Sequence, residues 1–231
     1  MTTSGEIRPP FFGTIARPPR EVVEGFRGIG TSTIGNVLDD LAIPGIILNI
    51  KPLAPGTSFV GTAFTAKEVT GTHGTYAAAE FGLGHVVDNA EAGDVIVIDN
   101  GGQQISTWGG VAAFAAQQRG VAGLVIDGGL RDADEIIAFG FAAFSRHVVP
   151  LSGKTRIKII EVNTVVKIDG VSVAPGDVLV GDGTGIVCVP ARCAAEVLAA
   201  ARALEADDRR AIEEIKAGLS FSQALAKFAK L

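Results

Sequence analysis

Residues 127–135 read DGGLRDADE, which is two glycines, an arginine and four carboxylates in nine positions, directly after the apolar run VAGLVI. Arg131 carries a planar fork of donors that matches a carboxylate or an enolate bidentately. Asp132 is a hard oxygen ligand suited to Mg²⁺ or Mn²⁺. A second stretch, DNGGQQISTWGGVAAF (99–114), leads into a helix that starts near Gly109. At such a start the N–H groups of Gly109, Gly110, Val111 and Ala112 have no partner inside the helix, and glycine lets an anion approach the backbone closely. Together these groups would suit a 2-oxo acid. The helix end would take its carboxylate, a divalent cation on Asp132 would polarise its oxo group, and Arg131 would stabilise charge developing on the oxygen. Ordinary readings stay open beside this one. Paired glycines before a helix serve turn geometry, acidic residues such as Asp132 and Glu135 complement a helix dipole, and an arginine can form a surface ion pair.

The elements that must position these residues follow from patterning. GDVIVID (93–99) and VAGLVI (121–126) are short continuous apolar runs, as expected of strands buried on both faces. GGVAAFAAQQRG (109–120) and DADEIIAFG (132–140) read as helices, and FAAFSRH (141–147) as another strand, so a βαβ rhythm is expected. Ligands of such sheets bind where strand-to-helix loops meet. PREVVEGFRGI (19–29) has the spacing of a short helix. TSTIGNVLDDL (31–41) offers Thr31 or Ser32 as N-cap of a second helix, and THGTYAAAEFGLGHVVDNA (72–90) reads as a third. After Pro150 the pattern becomes β-only, predicting an α/β half packed on an antiparallel half around one core. Residues 191–231 form a helical extension to a 1–190 domain: a long alanine-rich helix, 191–218, then a short one capped by Ser220 and Gln223. That long helix is expected to contact another subunit or its own domain.

Composition narrows the function classes. The 231 residues are 47% hydrophobic and 19% charged, with a net charge of −5 and no basic run, which argues against nucleic-acid binding. Residues 1–18 are a proline-rich arm without the apolar core of a signal peptide, and no run is long enough for a membrane span. A cytoplasmic protein with no membrane partner is expected. Cys188 and Cys193 read as packing thiols. His73, His85 and His147 read as structural, with His85 placed nearest the sheet ends, and Trp108 as a pocket wall or subunit contact. Asp182 and Thr184 in GDGTG read as a β-turn.

GDVIVIDNGG, then WGG opening a helix, then GLVIDGGLRDADEI and VAPGDVLVGDGTGIVCVP resemble the RraA-like family over about residues 27–200. That family holds 4-hydroxy-4-methyl-2-oxoglutarate aldolases and protein regulators of ribonuclease E activity. The resemblance implies an α/β fold of the ββα swivelling type (phosphohistidine-domain-like), an αββα sandwich, here with a C-terminal helical extension. It also implies a homo-oligomer, trimer or hexamer, with sites between subunits. For activity it implies a metal-dependent carbon–carbon lyase that releases pyruvate from 4-hydroxy-2-oxo acids and decarboxylates oxaloacetate. Arg131 matches the family's substrate-binding arginine, Asp132 its metal ligand, and Gly109, Gly110, Val111 and Ala112 its pyruvate-binding amides. The aldolases carry an acidic residue where this chain has Gly110 and another near Asn36. A non-catalytic regulator-like protein and an enolate enzyme with a different 2-oxo acid are the alternatives, the regulators being expected to end near Pro190. No S-adenosylmethionine-type glycine loop is present.

Overall fold

The computed structural model describes residues 9–228, so the first eight residues of the arm lie outside it. Within it, eleven strands form one mixed sheet. Across the sheet lie, in order, Ile46–Ile47, Ile186–Val189, Val178–Gly181, Phe59–Thr70, Asp94–Asp99, Gly123–Leu130, Ala143–Val148 and Lys51–Pro52. The βαβ rhythm is realised in the middle: Phe59–Thr70, Asp94–Asp99, Gly123–Leu130 and Ala143–Val148 run parallel. Their apolar runs are continuous because both faces are covered. On Asp94–Asp99, Ile96 and Ile98 join the helices Leu83–Asn89, Gly110–Gln118 and Ala133–Phe139 in one core. The alternate residues Val95 and Val97 pack on the other face with Val166, Ile168 and Val173 of the hairpin formed by Val166–Ile168 and Val171–Val173.

Most of the β-rich second half joins this sheet, and only the hairpin of Val166–Ile168 and Val171–Val173 forms a separate two-stranded sheet packed on its face. The twelve-residue strand Phe59–Thr70 extends past its parallel neighbour, and its free edge is filled by two C-terminal strands. Residues 59–62 pair with Val178–Gly181, and residues 66–70 pair with Ile157–Val162. A free edge of unpaired backbone groups is best satisfied by more strands, so both halves share one sheet.

Three further expectations change. The 72–90 segment is not one helix: it holds a 3₁₀ turn, Ala78–Phe81, and a helix, Leu83–Asn89, separated by Gly82 in the left-handed region at φ 74°. The N-cap of Thr31–Asp40 is Gly30; Thr31 is instead its first residue, and Asp182 caps it from across the fold, accepting from Thr31 N (2.9 Å) and Oγ1 (2.8 Å). The GDGTG turn does form, with Asp182 N donating to Gly185 O, so Asp182 holds both the turn and the helix.

The long helix spans Ala194–Lys216, and its first half belongs to the chain's own core. Val197, Leu198, Ala201 and Leu204 pack with Val23, Phe26, Ile34 and Leu38. Ser220 and Gln223 cap the last helix, Phe221–Lys227, reciprocally. Among the described residues no helix is long and apolar enough to cross a membrane.

Candidate active site

The strand Gly123–Leu130 runs four residues beyond VAGLVI, so the first part of DGGLRDADE is sheet rather than loop. Its glycines are there for close approach: a side chain at Gly128 would strike Asn100, and one at Gly129 would strike Ile105 O. The short strand Ser106–Trp108 pairs with the end of this strand, Ser106 opposite Gly129 and Trp108 opposite Leu130, and Arg131 N donates to Trp108 O at 2.9 Å. This pairing brings the two loops read from the sequence side by side. Helix Gly110–Gln118 starts from one and helix Ala133–Phe139 from the other.

Asp132 occupies the N-cap position of its own helix yet makes no cap bond there. Its backbone is left-handed, φ 59° and ψ 40°, a conformation that aspartate tolerates better than most residues but that still stores strain. Turned this way, its Oδ2 accepts the Gly110 N–H of the neighbouring helix at 3.1 Å. The role of helix-start carboxylate therefore fails for its own helix and is met across the cleft. Gly109 is extended (φ −148°), so its glycine answers to space rather than conformation: a Cβ there would sit 2.6 Å from Asp132 Oδ2 and 3.2 Å from Arg131 Nε.

Arg131 is 45% exposed, and its one charged neighbour among the described residues is Asp132, at 3.5 Å. Val111 and Ala112 N–H groups take no acceptor from the described residues. Arg131, Asp132, Gly109, Val111 and Ala112 line one cleft of about 400 Å³; Gly110 does not line it. Trp108 is fully buried, forms part of the wall and stacks on Phe141 at 6.3 Å.

Gly110, the position where the resemblance gives the aldolases an acidic residue, is crowded by one from elsewhere in this chain. A Cβ built on Gly110 would collide with Oε2 of Glu135, one turn into the adjacent helix. The space beside Gly110 is thus filled by a carboxylate of the adjacent helix. Asn36 lines a separate hollow with Thr31, Asp39 and Thr184. None of the three histidines lines the cleft; His147 Nε2 lies 3.1 Å from Gly102 O.

Sequence reasoning missed the opposite wall. Leu83, Asp88, Ser152 and Lys154 line it. The loop of Ser152 and Lys154 is tied to the site by Ser106 N donating to Leu151 O (2.9 Å) and Gly153 N donating to Ser106 O (2.8 Å). The available signal was positional, a lysine in the loop after the strand beside the one that carries Arg131.

The donor set fits a hard divalent cation. The cleft offers carboxylate, hydroxyl and carbonyl oxygens and no thiolate or imidazole. No group of three or more metal-ligating side chains exists among the described residues. Asp132 would hold the ion with water and substrate completing its shell, the usual arrangement for Mg²⁺.

The RraA-like model, described as Aldolase/RraA, matches residues 34–188. The chain belongs to this family. DlpA of Legionella pneumophila is 30% identical over 199 residues, covering 84% of this chain, which spans only 31% of that longer protein. A Halalkalibacterium halodurans protein provisionally named 4-hydroxy-4-methyl-2-oxoglutarate aldolase is 33% identical over 190 residues, 81% of this chain and 85% of that one. Among solved structures, an uncharacterized protein from Pseudomonas syringae pv. tomato superposes with a TM-score of 0.81 at 34% identity, covering 90% of this chain and 98% of that one. Streptomyces coelicolor RraAS2, titled an unusual member of the RNase ES inhibitor RraA family, shares the fold with a TM-score of 0.74 at 24% identity. That likeness covers 89% of this RraA-like chain and all of the other, so it runs past Pro190.

Proposed function

We propose that this RraA-like protein is a divalent-cation-dependent carbon–carbon lyase. It cleaves a 4-hydroxy-2-oxo acid such as 4-hydroxy-4-methyl-2-oxoglutarate to pyruvate and decarboxylates oxaloacetate by the same stabilisation of charge. The supporting observation is an arginine without a committed partner, Arg131, facing a cleft beside the open N–H groups of Val111 and Ala112. Burying so few of its donors in protein contacts leaves Arg131 available to a planar anion. The aldolase names of relatives such as the Halalkalibacterium protein agree with this reading.

The chain's residues divide the work. The amides of Val111 and Ala112, with Gly109 and Gly110, receive the substrate carboxylate at the helix start. Gly110 joins them once the Asp132 carboxylate turns away. Arg131 donates to the 2-oxo oxygen as negative charge grows on it, an interaction stronger in the transition state than in the ground state. Asp132 would hold Mg²⁺ or Mn²⁺, which when bound supplies a Lewis acid at the 2-oxo group. Exposed apolar side chains beside the cleft, Val111, Phe114 and Val148, support assembly into a homo-oligomer, trimer or hexamer.

The test is pyruvate release from a panel of 4-hydroxy-2-oxo acids and from oxaloacetate, with Mg²⁺ or Mn²⁺ and after chelation. Turnover that EDTA abolishes and the metal restores is expected. Turnover that survives exhaustive chelation overturns the reading, as does its absence on every substrate, which would leave a regulator-like binding protein.

A further inference from the structure

One carboxyl group at the back of the cleft has no role in this scheme. Glu68 lies on Phe59–Thr70 where the pairing with Ile157–Val162 shifts register, and it is only 7% exposed. No arginine or lysine pairs with it among the described residues. Its hydrogen bond comes from Thr107, whose Oγ1 donates to Glu68 Oε2 at 2.7 Å. Thr107 in turn accepts from Asn100 Nδ2 at 3.1 Å, an amide that also donates to Ile105 O at 3.2 Å. An amide nitrogen can only donate, so Thr107 Oγ1 accepts that bond and its own hydrogen stays free for Glu68. Glu68 Oε1 is buried and receives nothing.

An ionised carboxylate with one bare oxygen in such a place costs several kcal/mol. Burial, reinforced by the nearby charge of Asp99 and opposed by the Thr107 bond, pushes the Glu68 carboxyl up to about 8. The group is therefore a neutral acid at neutral pH, with its proton on Oε1. Thr107 belongs to the strand Ser106–Trp108 that walls the cleft next to Arg131 and Asp132. The acid thus has a single polar exit, and it leads to the site.

We propose that Glu68 is the proton store of the reaction, passing a proton through the Thr107 hydroxyl to the carbon of the pyruvate enolate formed on cleavage. The step rests on the lyase reading above. The enolate electron pair forms the new methyl C–H bond as the Thr107 O–H bond breaks. Rotation of the Glu68 carboxyl brings its own proton to Thr107 Oγ1, leaving a carboxylate. The substrate 4-hydroxyl releases its proton to solvent on cleavage, and the Glu68 carboxylate takes one proton back from solvent through Thr107 before the next turnover, so the cycle balances. Glu68 acts through Thr107 and is a positioning residue in this scheme.

The experiment follows deuterium entering the methyl group of pyruvate in D₂O with Mg²⁺, by NMR, alongside pyruvate affinity and thermal melting. Glu68→Gln and Thr107→Val should each slow exchange about 10²-fold, the low end for general acid–base catalysis, with affinity and melting preserved. Thr107→Ser, which keeps the hydroxyl, should recover most of the rate. Exchange by Glu68→Gln at the wild-type rate overturns the relay and leaves the lyase reading standing. A slow variant that has also lost pyruvate binding or its cooperative melt assigns Glu68 a structural role and overturns the relay too. A wild-type protein that neither exchanges pyruvate nor releases it from any substrate sinks the lyase reading and the relay with it.

Discussion

Arginine meets aspartate in two places within the stretch from Asp127 to Asp169, and the two places differ in how fully their hydrogen bonds are used. In the first, Arg146 spans two carboxylates, Nε to Asp127 Oδ1 at 2.5 Å and Nη2 to Asp169 Oδ1 at 2.7 Å. Asp127 also accepts the Asp169 N–H, and Asp169 accepts the N–H groups of Leu48 and Asn49. The side chains of Arg146 and Asp127 are 22% and 8% exposed. In the second, Arg131 and Asp132 stand 3.5 Å apart at 45% and 38% exposure. Their remaining capacity is unspent: the arginine fork is open, and Asp132 keeps a strained backbone to reach one amide. Saturation marks the grouping that ties the hairpin at 166–173 to the sheet. Spare donors and tolerated strain are what the proposed ligand site requires.

Substitution should separate the two sharply. Arg131→Ala should cost roughly 10²–10³ in kcat, the usual loss for one donor to a developing oxyanion, with little change in melting temperature. Asp132→Asn should lose metal-dependent turnover and show weakened Mn²⁺ binding by calorimetry. Near-full activity in both variants on a confirmed substrate would make the site an ordinary pair of helix starts. Arg146→Ala should do the reverse, destabilising by about 3 kcal/mol because it strands partly buried carboxylates, measurable in urea. Acid unfolding adds a signature. Burial alone would raise Asp169, yet its bonds from Arg146, Asn49 and Leu48 hold it well below the ordinary 3.8. Stability from this group is therefore complete above pH 3.8 and lost as pH falls further, and Arg146→Ala should flatten that acid limb.

The same comparison shows what could be read without coordinates. The strand Asp94–Asp99 and the two helix starts were legible because apolar runs and glycine positions are local signals, and the RD pair stood out by composition. That Asp127 belongs to a different network from Asp132, five residues on, was not legible: it depends on Arg146 and Asp169, brought near by strand pairing. Likewise nothing local in FTAKEVT says that Glu68 is buried; that depends on pairing with Ile157–Val162 and on Thr107 of the strand Ser106–Trp108 meeting its carboxyl. Residues 72–90 do not form one helix because Gly82, with its left-handed backbone, divides the segment.

Glu68 sharpens the comparison as a buried carboxyl with no arginine at all. Its carboxyl is raised from 4.5 to about 8, so the folded protein holds a proton that the unfolded chain releases above 4.5. By linkage the contribution of Glu68 is complete below pH 4.5 and is lost progressively as pH climbs to 8. One unit of such a shift is worth about 1.4 kcal/mol, or about 2–4 °C in melting temperature for a chain of this size. Glu68→Gln cannot ionise, so its melting temperature should gain on the wild type by at least that much between pH 5 and pH 8. Parallel curves would mean that Glu68 is solvated or paired in solution.

The smallest effect is expected at Gly110, where filling a gap tests whether there is a gap. A side chain there meets Oε2 of Glu135, the free end of an exposed side chain that can swing aside, so Gly110→Asp should fold normally. The added charge gains about 0.3–1 kcal/mol from the helix start and loses a similar amount to Asp132 and Glu135. In the cleft it competes with the substrate carboxylate for the amides of Val111 and Ala112. Turnover should therefore fall, by less than about tenfold, equivalent to at most about 1.4 kcal/mol. If Glu135 already supplies the acid that aldolases carry at this position, Gly110→Asp combined with Glu135→Gln should recover the loss, because the pair of exchanges restores one carboxylate to one place. Steady-state rates for the two single variants and the double variant complete the cycle. A rise in turnover for Gly110→Asp alone, with Glu135→Gln silent, would show that Glu135 crowds the position without serving it, and that the site runs short of one acidic group.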